Sequence, residues 1–374
     1  MKVLSIHWGF SHGGVATYAA NVQCLRDRIP LKLNSLCILP VGRDVDQGLL
    51  DSLDAIVLRV KSIVRLSWVF RVRAIVAEEK PDCVMSHGFN GHLVSLVATA
   101  GMQQRVRRLA SYHGSYHPNT RVRRLIAPVY NGFTNWFLRN KADAIVSVAQ
   151  YCVDILIECG VPARKFTVVH NGIRDLKPDQ NKRAAIRNEW GYAPDHVVIG
   201  IASRLETIKG LDYLIEAFAR ISSAHEKLRL VLIGDGSQLD YLQKLAVSRT
   251  VGSRLKFAGM RSDVADCLSA IDIFALPSLS EAHSIGLLEA MRAGKAIVAT
   301  DVGGNAESVR DDQEALIVKS ADIDGLSEAL GRLADDAGLR ASLGEAAYER
   351  FCAEFTVEAM LNKTARWMQD VCAG

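Results

Sequence analysis

The chain has 374 residues, of which 49% are hydrophobic and 23% are charged, a composition typical of a globular protein. Its length predicts two domains. No uncharged apolar stretch reaches the roughly 18 residues that cross a membrane, and "SHGG" at 11–14 interrupts the apolar N-terminal run before a secretory signal is complete. These features exclude an integral membrane protein and a secreted one, so we expect a cytoplasmic protein.

In the first half of the chain, short apolar runs alternate with helical patterns, which is typical of parallel strands covered by helices on both faces. The predicted strands lie at 2–7, 34–39, 55–60, 83–87, 108–113 and 144–149. The predicted helices lie at 14–27, 67–79, 91–100, 122–140 and 151–159.

The second half repeats this alternation, and each of its predicted strands is followed by a helix. These strands lie at 197–203, 228–234, 255–259, 272–277, 296–300 and 315–318. The polar stretch at 171–182, with Asn-Gly and Pro, is the predicted linker. The fold class is therefore α/β, with two Rossmann-like, doubly wound parallel-sheet domains. Ligands of such sheets bind beyond the carboxyl ends of the strands, so we expect the site in the cleft between the domains.

Charge is distributed unevenly along the chain. Residues 1–170 contain 21 Lys and Arg against 11 Asp and Glu, whereas the remainder contains 24 against 30. No acidic residue lies between Asp82 and Asp143. The arginines that we assign to a basic surface in this window are Arg105, Arg107, Arg108, Arg121, Arg123 and Arg124. Together with neighbouring apolar residues they indicate either contact with an anionic membrane surface or a solvated face. Nucleic acid is not a predicted partner, because no recognition motif accompanies the charge.

The stretch "SEAHSIGLLEAM" at 280–291 carries two glutamates that are eight positions apart, Glu281 and Glu289. Ser284 is a good N-cap for a helix that ends before Gly294. The free amides of Ile285, Gly286 and Leu287, with the positive end of the helix dipole, then favour an anion between the two carboxylates. Because carboxylates accept hydrogen bonds from hydroxyl pairs, the pattern predicts a nucleotide sugar: ribose, diphosphate and hexose.

Two cations support this prediction. Arg204 follows a predicted strand, and Lys209 precedes Gly210 at the start of the next helix. Both are expected at the same edge, where they offset the charge of a diphosphate without a metal. The chain's eight cysteines form no CxxC pair and lack a histidine at zinc spacing, so we predict buried free thiols and no metal site.

Five motifs, in order, resemble those of retaining glycosyltransferases of the GT-B fold, specifically family four (glycosyl transferases group 1). The motifs are "HGGVATY" at 12–18, "VHNGI" at 169–173, "SRLETIKG" at 203–210, "GDG" at 234–236, and the glutamate pair followed by "AMRAGKAIVATDVGG" at 290–304. The resemblance covers nearly the whole chain. It implies retention of anomeric configuration, no metal or other cofactor, and a last helix that returns to the first domain. We therefore predict an acceptor-binding domain at 1–171, completed by a helix at 356–374, and a nucleotide-sugar-binding domain at 172–355.

The resemblance also implies roles for single residues. Glu281 would contact the hydroxyls of the donor sugar and Glu289 the ribose, while Arg204 and Lys209 would hold the diphosphate. Gly13 and Gly14 match the glycine loop near the phosphates, and His113 in "SYHG" matches the histidine near the reacting carbon. Where relatives often carry glycine and phenylalanine, this chain has Ala282, His283 and Ser284, and we predict a further donor contact from His283.

These features together predict transfer of a hexosyl unit from a UDP- or GDP-sugar to a carbohydrate or lipid-linked acceptor, such as a precursor of a surface polysaccharide. Two other functions stay open. "GFSHG" at 9–13 matches the nucleophile elbow of a serine hydrolase, with Ser11 as nucleophile. The chain could also be a nucleotide-sugar-binding module without catalysis. A lipid-linked acceptor would place the protein peripherally on the inner face of the plasma membrane.

Overall fold

The computed structural model describes residues 2–9, 14–27, 32–41, 50, 55–61, 67–102, 105–114, 121–176, 179 and 181–373. The chain divides into two compact units. The first comprises Met1–Asn171 and Val357–Gly374, and the second comprises Gly172–Thr356.

The described part of the first unit is built on a seven-stranded parallel sheet with the strand order β3-β2-β1-β4-β5-β6-β7. Its strands are β1 (Lys2–Trp8), β2 (Lys32–Pro40), β3 (Ile56–Val60), β4 (Cys83–His87), β5 (Arg107–Tyr112), β6 (Ala144–Ser147) and β7 (Phe166–Val168). Its α-helices span Gly14–Gln23, Ser67–Glu79, Gly88–Thr99, Arg121–Asn140, Gln150–Glu158 and Val357–Ala373.

The second unit is built on a six-stranded parallel sheet with the order β10-β9-β8-β11-β12-β13. Its strands are β8 (Val197–Ala202), β9 (Leu228–Ile233), β10 (Leu255–Gly259), β11 (Ile273–Leu276), β12 (Ala296–Thr300) and β13 (Leu316–Val318). Its α-helices span Lys182–Trp190, Leu211–Ser222, Leu239–Ser248, Val264–Ala270, Ile285–Arg292, Asn305–Ser308, Ile323–Asp335 and Ala337–Glu354.

Both faces of each sheet are buried, because successive strand residues point to opposite sides and both sides are apolar. In β1, Val3 packs with Tyr18 and the C-terminal helix Val357–Ala373 on one face. Leu4 and Ile6 pack on the other face with side chains of the helices Ser67–Glu79 and Gly88–Thr99. These observations confirm the predicted fold class of two doubly wound parallel-sheet domains.

Most predicted elements are present, and four have the predicted bounds: the helix at 67–79 and the strands at 83–87, 255–259 and 296–300. The strand Phe166–Val168 was not predicted. The described cysteines are free thiols, and five of them are fully or partly buried. The prediction of burial is wrong for Cys159 and Cys352, which are exposed. None of the described helices combines the length and apolar composition that crossing a membrane requires.

Candidate functional site

Two loops of the second unit, at 203–210 and 277–284, follow β8 and β11, which are neighbours at the point where the strand order reverses. Connections leave such a point in opposite directions and open a crevice at the carboxyl edge, where ligands of these sheets bind. Leu279 N donates to Ile208 O at 2.8 Å, so the loop after β11 is joined to the loop after β8. The predicted site residues of this unit lie along these two loops and in the helix Ile285–Arg292 that follows the second loop.

The helix Ile285–Arg292 begins as predicted. Ser284 is its N-cap, with extended backbone angles, and its Oγ accepts a hydrogen bond from Leu287 N at 3.3 Å. The prediction of three free amides is therefore wrong at Leu287, because the cap satisfies that donor. The amides of Ile285 and Gly286 have no acceptor among the described residues, and they remain available to an anion at the helix start. Gly294, with φ +62°, follows the helix as predicted.

Glu281 is the most constrained carboxylate of the site. Its Oε1 accepts hydrogen bonds from Lys209 Nζ at 2.6 Å and from Ser278 Oγ at 2.7 Å. The side chains of Lys209 and Glu281 are 16% and 10% exposed, so this ion pair is only weakly screened by solvent. In the described part of the chain, no hydrogen bond reaches Oε2. The carboxylate is therefore held by one oxygen and can accept ligand hydroxyls with the other.

Two glycines allow the loops to approach this closely. A Cβ on Gly210 would lie 2.1 Å from Pro277 O, and a Cβ on Gly303 would lie 1.7 Å from Glu281 O. Both glycines have positive φ, +61° and +56°. Gly304 N also donates to Ala282 O at 3.0 Å. The "VGGN" turn at 302–305 therefore supports the backbone that carries Glu281. From its sequence alone, this stretch could not be distinguished from a plain turn.

We expect Gly303→Ala to lower the free energy of unfolding by about 2–4 kcal/mol, since the new Cβ meets a backbone oxygen at a left-handed position. Gly259→Ala is a matched control, because Gly259 has φ +68° and open space around its Cβ position. That control should cost only about 1 kcal/mol, the left-handed penalty alone. Urea denaturation of both variants measures the difference. Equal losses would contradict the close approach to Glu281.

A second loop contact positions Arg204. A Cβ on Gly234 would lie 1.9 Å from Ser203 O, and Leu205 N donates to Asp235 O at 2.9 Å. The "GDG" turn at 234–236 therefore fixes the backbone on either side of Arg204. The Arg204 side chain is exposed and has no hydrogen bond or ion pair to any described residue. The structure thus presents a free guanidinium at the same sheet edge as Lys209.

Glu289 lies in the second turn of the helix Ile285–Arg292, and its side chain is partly buried. Burial raises the pKa of its carboxyl, and the nearby Arg292 opposes that shift only in part. No hydrogen bond to this carboxylate is present within the described residues. A desolvated carboxylate without a partner is costly in a folded protein, and a ligand donor would relieve that cost.

His283 faces the interior of the second unit. The residue is 5% exposed, its Nε2 lies 3.3 Å from Ser308 Oγ, and its ring centroid is 5.6 Å from that of Phe355. Its predicted donor contact stays a prediction.

In the first unit, His113 follows β5 and is partly buried. Its Nε2 is bonded to Ser111 Oγ at 2.9 Å, and Tyr18 packs edge-on at a centroid distance of 4.8 Å. Burial lowers the pKa of His113 to about 4, so the ring is neutral near pH 7. Gly14 is the first residue of the helix Gly14–Gln23. Gly13 and Ser11 lie outside the described residues.

The predicted basic surface is narrower than the sequence suggested. Arg107 donates to Val371 O, and Arg108 Nε donates to Thr99 Oγ1 at 2.8 Å, so both are partly buried. Arg105 is exposed beside Asp143. The remaining three, Arg121, Arg123 and Arg124, lie in the first turn of the helix Arg121–Asn140.

The sequence Asp-x-Asp, which can bind a metal ion, occurs at 322–324, where both aspartates have structural roles: Asp322 caps the helix Ile323–Asp335, and Asp324 pairs with Arg220. Among the described residues, no group of three or more His, Cys, Asp or Glu side chains is arranged to hold a metal ion. A similar stretch at 44–46 lies outside the residues that the structure describes.

Sequence reasoning missed two parts of the site. One is Ser278, which shares Glu281 Oε1 with Lys209. The other is the surroundings of His113, for which a signal exists: Ser-x-His occurs at 5–7 and again at 111–113, each at the end of a strand.

Two family models match the chain. The model described as glycosyl transferases group 1 matches residues 182–350, and the model described as glycosyltransferase family 4 matches residues 52–175. Together the two ranges include more than three quarters of the chain.

Among curated proteins, the lipopolysaccharide core biosynthesis glycosyltransferase LpsE of Rhizobium meliloti is 33% identical over 166 residues, which is 44% of this chain and 48% of LpsE. A GDP-mannose-dependent monoacylated alpha-(1-6)-phosphatidylinositol monomannoside mannosyltransferase of Corynebacterium glutamicum is 33% identical over 220 residues, 56% of this chain and 55% of that protein. The matched part of the chain thus spans about half the length of these curated relatives.

Among solved structures, Anabaena HepE in complex with UDP-glucose has a TM-score of 0.84 and 21% sequence identity, covering 99% of this chain and 100% of HepE. At this identity the likeness shows a shared fold.

Proposed function

Because the chain belongs to the family four glycosyltransferases of the GT-B fold, we propose that it moves a hexosyl unit from a nucleotide diphosphate sugar to an acceptor hydroxyl, with retention and without a metal. One observation carries the proposal: the Lys209–Glu281 pair lies beside a capped helix start with two free amides, and the carboxylate of Glu289 accepts no hydrogen bond from any described residue. We assign the nucleotide sugar to the second unit and the acceptor to the first.

The diphosphate would bind at the start of the helix Ile285–Arg292. The amides of Ile285 and Gly286 and the positive end of the helix dipole attract an anion there. An ammonium has three donors, so Lys209 can keep its bond to Glu281 and also contact a phosphate oxygen. Arg204 is free to add a second cation. Together these groups would stabilise the charge that develops on the departing diphosphate.

The two carboxylates would bind the polyols on either side of the diphosphate. Glu289 offers acceptors to a ribose, and Glu281 offers Oε2 to the sugar. The bonds from Lys209 and Ser278 to Oε1 reduce the negative charge available for attack, which supports Glu281 as a hydroxyl-binding group and not as a nucleophile. We therefore assign no nucleophile, and attack on the same face as departure requires none. His113 would contact the donor sugar near the reacting carbon.

A two-part experiment tests the proposal. A thermal-shift screen of the protein with UDP- and GDP-sugars should raise the melting temperature for at least one donor, because that donor binds the native state. HepE was solved with UDP-glucose, and the Corynebacterium relative is named as GDP-mannose-dependent, so both donor classes belong in the screen. Incubation of the selected donor with acceptor should then release free nucleotide. Binding without release would indicate a non-catalytic binding module. If no donor raised the melting temperature and none released free nucleotide, the proposal would be contradicted.

For the acceptor we propose a lipid-linked saccharide at an anionic membrane surface, which would place the protein in the cytoplasm or peripherally on the inner face of the plasma membrane. The helix Arg121–Asn140 supports this. Leu125 is 81% exposed, Val129 67% and Trp136 39%, and their spacing places them on one stripe of the helix. Arginines at 121, 123 and 124 begin the same helix, so an apolar stripe accompanies positive charge.

The double variant Leu125→Ser and Val129→Ser is expected to reduce partitioning into phosphatidylglycerol vesicles by at least tenfold, since about 1.5–3 kcal/mol of apolar transfer is lost for each fully inserted side chain. Vesicle co-sedimentation measures the change. Val247→Ser is a matched control, because Val247 is a 75% exposed helix residue of the second unit. Binding that is equal in all three proteins, or absent in the parent, would refute the membrane surface.

A further inference from the structure

Alternating histidine and serine side chains form a continuous hydrogen-bonded chain at the carboxyl edge of the first sheet. Ser5 and His7 lie on β1, His87 ends β4, and Ser111 on β5 precedes His113 by two positions. The consecutive links are His7 Nε2 to Ser5 Oγ at 2.9 Å, Ser5 Oγ to His87 Nε2 at 2.9 Å, His87 Nδ1 to Ser111 Oγ at 2.5 Å, and Ser111 Oγ to His113 Nε2 at 2.9 Å. The first four members of this hydrogen-bonded chain are buried, and the last, His113, is partly exposed.

The sheet itself brings these side chains together. β1, β4 and β5 are adjacent parallel strands, and His87 is in register with Ser111. Side chains two apart on a strand share a face, so all of the members point to the same side of the sheet. The rings of His7 and His87 stack with centroids 4.7 Å apart. The chain therefore begins where the strand order reverses, between β1 and β4, and ends at His113.

All three rings are neutral near pH 7. Burial lowers the pKa of His7 to about 3 and that of His113 to about 4, and it lowers the pKa of His87 well below the ordinary value of 6.5, with a further contribution from the neighbouring histidines. A neutral imidazole donates from one nitrogen and accepts at the other, and a serine hydroxyl has a single proton to donate.

Two arrangements of protons use the hydroxyl proton of both serines within this hydrogen-bonded chain. In one, each donor points away from His113: its Nε2–H donates to Ser111, Ser111 to His87, His87 to Ser5, and Ser5 to His7. His113 Nδ1 is then a bare acceptor. In the other, each bond is reversed, and His113 carries its proton on Nδ1. Both arrangements contain the same number of protons. A mixture of the two that keeps every bond makes one buried serine accept hydrogen bonds from both neighbouring rings, which leaves its own hydroxyl proton without an acceptor in this hydrogen-bonded chain.

We propose that Ser5, His87 and Ser111 are positioning residues that set, as one unit, which nitrogen of His113 carries the proton. His113 Nδ1 has no hydrogen bond to any described residue, so it is the atom that a ligand can reach. The hydrogen-bonded chain thereby determines whether His113 Nδ1 accepts a hydrogen bond from a sugar hydroxyl or donates one to it. This last step rests on the proposed function, whereas the coupling within the chain is a property of the free protein.

Nitrogen NMR of the ligand-free protein, labelled in its histidine rings, tests the coupling. The signals that disappear in His113→Gln identify His113, and their shifts report which nitrogen is protonated. Ser5→Ala and Ser111→Ala should each change the populations of the two His113 tautomers. Ser5 does not touch His113, so its effect has to travel through His87 and Ser111. Ser86→Ala is the matched control: Ser86 is equally buried and is bonded to His92 Nδ1 at 2.8 Å, outside the chain.

Ser111→Thr retains the hydroxyl and should keep the parent tautomer signals. His113 signals that stay unchanged in Ser5→Ala, or that change as much in Ser86→Ala, would overturn the inference. If sugar transfer is established, Ser5→Ala should also lower kcat by about three- to tenfold, the effect of one net hydrogen bond. Since the NMR experiment uses no substrate, lost coupling refutes only this inference, and failure of every donor to bind or react refutes only the proposed function.

Discussion

Lys209→Met is expected to lower kcat by about 10²- to 10³-fold, because it removes a preorganised cation from the site where, in the proposed reaction, charge develops on the leaving diphosphate. Lys209 also holds Glu281 at 2.6 Å, so its loss leaves a mostly buried carboxylate with one bond fewer. Initial rates of nucleotide release with saturating donor measure the effect. Lys182→Met is the control, since Lys182 forms an ion pair of the same length with Asp266 but is 54% exposed. It should leave kcat unchanged.

A second variant separates catalysis from folding. Lys209→Met alone should lower the melting temperature, because removing one partner of a buried pair leaves an unpaired charge. The double variant Lys209→Met and Glu281→Gln removes both charges and should recover much of that stability. Its activity should stay low. If the double variant also recovered activity, Lys209 would act through the fold and not through the leaving group.

Glu289→Gln is expected to weaken donor binding by about 10- to 100-fold, because it removes the charge-assisted hydrogen bonds that we propose between Glu289 and two neighbouring hydroxyls. Calorimetric titration with the donor that the screen selects measures this. Glu345→Gln, at an exposed glutamate of the helix Ala337–Glu354, is the matched control and should bind normally. Unchanged affinity in Glu289→Gln would remove the ribose contact from the proposal.

The same substitution should stabilise the ligand-free protein. Burial raises the pKa of Glu289 above 4.5, so the folded state favours the protonated carboxyl. The ionised side chain therefore destabilises the fold at neutral pH, and this penalty disappears as the pH falls below 4.5, where the group is protonated in both folded and unfolded states. Glu289→Gln should raise the melting temperature at pH 7 and change it less near pH 4. Glu289 would then bind the donor more tightly than glutamine does, while glutamine would give the more stable fold. This trade-off is expected for a ligand-binding residue.

The fold could be predicted largely from the sequence, because buried parallel strands leave clear apolar runs between helical stretches. Each strand of the second sheet was predicted in this way. The strand Phe166–Val168 escaped prediction since it is three residues long and only partly buried at the edge of its sheet. Its extended conformation is defined by its pairing with β6, which its own composition does not indicate.

The candidate site could be predicted only in part. Glu281, Glu289 and the N-cap Ser284 follow from local spacing, which the sequence displays directly. The pairing of Lys209 with Glu281 does not, because it joins residues 72 positions apart through loops whose approach depends on Gly210 and Gly303. Charge composition also could not show that Arg107 and Arg108 satisfy acceptors inside the protein.

The assignment of the helix Val357–Ala373 to the first unit has a consequence for biosynthesis. Met360, Leu361, Trp367 and Met368 from this helix complete a core that includes Val3 and Tyr18. On the ribosome, the N-terminal portion therefore emerges long before the side chains that cover one face of its sheet. The uninterrupted segment Gly172–Thr356 can acquire its native structure first, which reverses the usual vectorial order of domain folding. Until translation passes residue 368, an uncovered apolar sheet face is a natural substrate for chaperones.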